Sequence, residues 1–120
     1  MTIGQILALA AAAMAAIVSG MGSSKGVGMA GETAAGVASE NPDVSSKLLV
    51  LQLLPATQGI YGFLIAVIVL INVGVLGGAI KAVTLEQGIA YLVACLPVAL
   101  VGYYSAIRQA KVSMAGMLMT

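Results

Sequence analysis

The amino-acid sequence predicts an all-α membrane protein, with three spanning helices arranged as transmembrane hairpins. Two observations predict it. Hydrophobic residues make up 61% of the 120 and charged residues only 8%, against roughly 45–50% and about 25% in soluble domains. Too little polar surface remains to clothe a water-soluble globule of this size. The charges also leave long gaps at 1–24, 48–80 and 87–107, that is 24, 33 and 21 residues, and a membrane-crossing helix needs roughly 20.

The same composition excludes several functions. A net charge of +1 offers no basic stripe, so no nucleic-acid partner is expected. Histidine and tryptophan are absent, which removes His-based catalysis and most soft-metal sites. Cys95 lies among apolar residues in the third gap and reads as a small packing residue. The N-terminal apolar run has no cationic region before it, so the first helix is expected to be retained rather than cleaved as a signal.

The first helix is expected from Ile3 past Lys25 to about Val37. Gly4, Ala8, Ala12, Ala16, Gly20, Ser24 and Gly28 recur at four-residue spacing, a small-residue pattern that allows close helix approach in lipid. It suggests that helix 1 lines the crowded inner face of an oligomer, with helix 2 outside it. Residues 38–43 form a polar loop in which Asn41 caps a helix opened by Pro42. Helix 2 is expected from about Asp43 to Leu76, stopped by Gly77-Gly78. Thr84-Leu-Glu-Gln87 reads as a capping box that opens helix 3, which continues to about Met117.

Lys25, Lys47, Arg108 and Lys111 belong to the side of the first loop, and Lys81 to the other. The positive-inside rule places the first loop in the cytoplasm. Val27–Gly31 and Val112–Gly116 nearly repeat each other at an offset of 85 residues. Residues 1–78 then form one hairpin, and 79–120 the first helix of a second, incomplete one.

Polar chemistry concentrates in helix 2. Gln58 lies 11 residues beyond Lys47, about 16 Å along a helix at 1.5 Å per residue. A carboxamide at that depth demands partners. Pro55 lacks an N–H for the Leu51 carbonyl and should bend the helix. Two readings follow: hydrogen bonding between helices with no ligand, or a site of neutral oxygens for a hard cation such as Na⁺. Tyr61, one turn on, is placed to cap such a network with its hydroxyl.

Residues 26–32 (GVGMAGE), 51–63 (LQLLPATQGIYGF) and 107–112 (IRQAKV) together resemble the K (c-type) proteolipid of bacterial V-type ATPases, above all the sodium-pumping members. The resemblance implies a homo-oligomeric rotor ring in the cell membrane, turning with the other membrane and central-stalk subunits and without catalytic residues of its own. It implies that the Leu54 carbonyl, Thr57, Gln58 and Gln109 are Na⁺ ligands and that Tyr61 supports the essential carboxylate. In the family that carboxylate is a fourth-helix glutamate, which would fall about 20 residues beyond Thr120. Glu32, Glu40, Asp43 and Glu86 instead read as interfacial or cap charges, so these 120 residues alone are expected to bind Na⁺ weakly. Proton transport, a subunit or fragment of a secondary transporter and a non-transporting structural membrane hairpin protein are the other readings. Spacing does not itself bring the amides level: Gln58 lies about 28 Å from Gly77 along helix 2, and Gln109 about 37 Å from Thr84 along helix 3.

Overall fold

The structure, a computed structural model, describes all 120 residues. They form α1 (Ile3–Glu40), a 3₁₀ turn (Pro42–Val44), a second span in two halves, α2 (Ser45–Leu53) and α3 (Thr57–Val73), and finally α4 (Leu85–Leu118). A second 3₁₀ turn, Leu54–Ala56, joins α2 to α3. The three spans, Ile3–Glu40, Pro42–Val73 and Leu85–Leu118, are long and apolar enough to cross a membrane. The molecule measures 58 × 24 × 13 Å, nearly twice as long as a hydrocarbon core of about 30 Å.

Local sequence sets the ends of the spans. The Thr84 hydroxyl accepts from the Gln87 N–H and the Gln87 side-chain oxygen accepts from the Thr84 N–H, both at 3.1 Å, the expected capping box. Thr2 and Gln5 make the same box at the start of α1, which sequence reading missed. Three expected boundaries shift. Helix 1 runs to Glu40 rather than Val37, and Asn41 closes it as its C-cap instead of capping the next helix with its side chain. Pro42 explains this, since the residue before a proline is driven out of the α region, and Asn41 has φ −140° and ψ 85°. Helix 2 stops at Val73 rather than Leu76. Gly74 takes φ 91° and gives its N–H to the Leu70 and Ile71 carbonyls, a left-handed ending that costs glycine nothing.

Within the protomer α1 buries Gly4, Ala8, Ala11, Ala12, Ala15, Ser19, Gly22, Gly26 and Ala30 among others. The four-residue series therefore starts on this face with Gly4, Ala8 and Ala12 and has left it by Ser24 and Gly28, which are exposed. Four residues advance a 3.6-residue helix by one turn and about 40° more, so a strict four-residue series winds off its face. The buried series mixes steps of three and four and stays on it. A Cβ at Gly22 would strike the Tyr103 backbone, and one at Gly26 would lie 2.8 Å from the Ala106 carbonyl oxygen. A Cβ at Gly20 or Gly28 meets nothing within 4 Å.

These contacts show α1 and α4 running parallel, Gly4 beside Gly88 and Gly26 beside Ala106, with the second span antiparallel to both. After α3 the Lys81 N–H reaches the Val73 carbonyl at 2.7 Å, so Lys81 stands level with the end of α3. The hydrogen bond between Gln58 and Gln109 shows that the two amides meet.

Two apolar clusters line the long axis. Ala8, Ala11, Ala15, Ala66, Val69, Val73 and Cys95 pack at the end bearing the second loop, and Ala30, Ala34, Leu48 and Met117 at the other. Cys95 is buried packing, as expected. Ser39 and Lys81 are both exposed at opposite ends. Cysteines introduced by Ser39→Cys and Lys81→Cys are therefore expected to react with an impermeant maleimide from opposite sides of the membrane. Labelling of both from one side would overturn the topology.

Candidate functional site

Between the apolar clusters lies a polar layer centred on the break at Leu54–Ala56. Pro55 is fully buried there. Tight 3₁₀ winding brings the Thr57 N–H onto the Leu54 carbonyl, and the Thr57 hydroxyl lies 3.1 Å from the same oxygen. That hydroxyl is also 3.0 Å from Gln58 Oε1. The Gln58 amide nitrogen reaches across to α4, donating to Ser105 Oγ and to Gln109 Oε1, each at 2.8 Å.

The arrangement has a chemical consequence. Leu54 O, Thr57 Oγ1 and Gln58 Oε1 form a chain of oxygens 3.0–3.1 Å apart, in which the Thr57 N–H is spent on Leu54 O and a single hydroxyl proton is shared along the chain. Both protons of the Gln58 amide are engaged on α4, which turns its oxygen back toward the other two. The result is a concentration of lone pairs with few donors, suited to a small hard cation. Beside it a groove of about 200 Å³ runs between α3 and α4, lined by Gln58, Tyr61, Pro97, Val101 and Ser105 among others. No buried side-chain nitrogen or oxygen in the molecule lacks a partner. Glu32, Glu40, Asp43 and Glu86 are exposed and lie outside this layer, and nowhere do three potential acidic, cysteine or histidine ligands gather.

Residues 10–69, which contain the break and its oxygens, match the family model of the ATP synthase C subunit. The chain is 46% identical over 113 residues to the V-type sodium ATPase subunit K of Enterococcus hirae, a match covering 94% of this chain and 69% of that protein. It belongs to the ATP synthase C-subunit family. The A-type ATP synthase subunit K of Methanocaldococcus jannaschii is 43% identical over 65 residues, covering 54% of this chain and 30% of that one. The chain is thus a rotor-ring proteolipid of the V- and A-type branch, and the fold of hydrophobic helical hairpins is that of the family.

In this proteolipid the structure brings Leu54, Thr57, Gln58 and Gln109 into one hydrogen-bonded cluster. Tyr61 stands apart. It is 58% exposed and faces the groove, and none of the cluster's hydrogen bonds involves it, contrary to the expected cap. Sequence reading missed two further serines. Ser105 holds the Gln58 amide from α4; its place one turn before Gln109 was a usable signal, since residues four apart share a helix face. Ser23 of α1 binds the break itself, donating to the Pro55 carbonyl and accepting from the Gly59 N–H, both at 2.7 Å. Nothing in the local sequence distinguishes it from Ser19 or Ser24.

Proposed function

We propose that this rotor proteolipid carries Na⁺, with the Leu54 carbonyl, Thr57, Gln58 and Gln109 as the neutral ligands on each protomer and Tyr61 beside them. The observation that carries the reading is the chain of three oxygens sharing one hydroxyl proton. Proton carriage needs a carboxylate alone and has no use for such a cluster. The sodium ATPase subunit K relative points the same way. The ligands are uncharged, so tight binding needs a carboxylate from a further helix, and the groove beside Gln58 and Tyr61 leaves room for one. Without it these residues hold Na⁺ weakly.

Residues 1–78 act as one hairpin and 79–120 as the opening helix of a second. Copies assemble as a ring in the cell membrane and turn with the other membrane and central-stalk subunits, while ATP hydrolysis takes place on other chains. The reading is tested in an assembled ATPase whose protomers also carry a family-type fourth helix with its carboxylate, by the rate at which a carboxyl-reactive carbodiimide labels the ring. Millimolar Na⁺ at constant pH is expected to slow labelling several-fold. Protection that followed pH and ignored Na⁺ would leave proton transport as the function.

A further inference from the structure

We propose that Ser23 is a positioning residue for the cation site: its hydroxyl, inserted from α1, wedges the second span open and so sets the place of the Leu54, Thr57 and Gln58 oxygens. The inference rests on the sodium reading above and adds to it a residue outside the ligand set.

Pro55 alone does not explain the break. Its missing N–H frees the carbonyl of Leu51 on the α2 side. On the α3 side the Pro55 carbonyl and the Gly59 N–H stand four residues apart and would ordinarily bond to each other. Instead the Ser23 hydroxyl lies between them, accepting from Gly59 and donating to Pro55 at 2.7 Å each. A side chain inserted into the helical ladder is a recognised cause of a kink. Ser23 is 7% exposed, and both partners are on the segment that holds Thr57 and Gln58.

The packing around the hydroxyl is close. A Cβ on Gly59 would lie 3.1 Å from Ser23 Oγ, and one on Gly26 would lie 2.9 Å from the Pro55 Cβ. Glycines on both helices therefore let α1 press against the break on either side of the hydroxyl. A hydroxyl there supplies one donor and two lone pairs, which matches the two backbone groups it meets.

The wedge has a particular consequence when removed. In Ser23→Ala the Pro55 carbonyl and Gly59 N–H are left facing each other and can close into an ordinary helical bond. No polar group is stranded, so ring assembly and thermal stability are expected to hold. The Thr57 and Gln58 oxygens would move with the tightened turn. In the intact ATPase with the fourth helix and its carboxylate present, the Na⁺ concentration giving half-protection against the carbodiimide is expected to rise about tenfold. Ser23→Thr keeps the hydroxyl and is expected to retain the parental value.

Gln58→Ala, measured alongside, separates the two layers of inference. Unchanged Na⁺ protection in Gln58→Ala overturns the cation-site reading itself. Weakened protection in Gln58→Ala with unchanged protection in Ser23→Ala overturns the role of Ser23 alone. A ring that disassembles on Ser23→Ala overturns it too, because Ser23 would then be packing support rather than a wedge.

Discussion

Gln58→Ala is expected to weaken Na⁺ binding in the assembled rotor by about 10- to 100-fold, the range for losing a polar group that contacts a charge. Gln58 joins both halves of the site. Its oxygen completes the chain with Thr57 and Leu54, and its nitrogen ties α3 to Ser105 and Gln109 of α4. Truncation removes an oxygen and releases the Gln109 and Ser105 side chains together. The measurement is the Na⁺ concentration for half-maximal ATP-driven transport, with the maximal rate recorded beside it. A variant that transports with parental Na⁺ dependence would show that the amides only bind the helices to each other.

The largest effect on assembly is expected at Gly62. A Cβ there would run into the Ser19 hydroxyl and the Ala15 carbonyl of α1. Across the same serine, a Cβ on Gly102 of α4 would lie 3.0 Å from Ser19 Cβ. All three spans meet at this point, and neither a backbone carbonyl nor a serine bonded to its own helix can step aside. Overpacking a tight interface costs about 1–3 kcal/mol and occasionally more, so Gly62→Leu is expected to separate α3 from α1 and leave little folded protein in detergent. Gly20→Leu makes a contrast. Its Cβ meets nothing within the protomer, so the protomer should fold normally and lose only its ring. Thermal unfolding and native mass measured on both variants distinguish the outcomes. Normal rings from Gly20→Leu would show that α1 does not form the crowded inner face.

Much of the architecture was legible in one dimension. Charge-free gaps longer than a bilayer span left no other solvent for these segments, and they located all three helices. Thr84 and Gln87, three residues apart before an apolar run, defined a capping box through contacts entirely local to the chain. Pro55 marked the break for an equally local reason, its missing N–H. Motif resemblance also picked out Leu54, Thr57, Gln58 and Gln109, since three of the four lie within one short, distinctive segment.

What one dimension could not supply depends on which backbone faces which. Helix 2 ends at Gly74 rather than Gly77 because several glycines were available, and the chain used the first that could reverse. The small-residue face of α1 follows mixed steps of three and four, chosen by what α3 and α4 present to it. Gln58 and Gln109 meet at 2.8 Å although they lie 51 residues apart, a meeting that helix lengths counted from the sequence did not give. Ser23 lies 32 residues from Pro55 in a helix full of small residues. Its sequence records only that it is a serine; packing α1 against the break turns its hydroxyl into a part of the site.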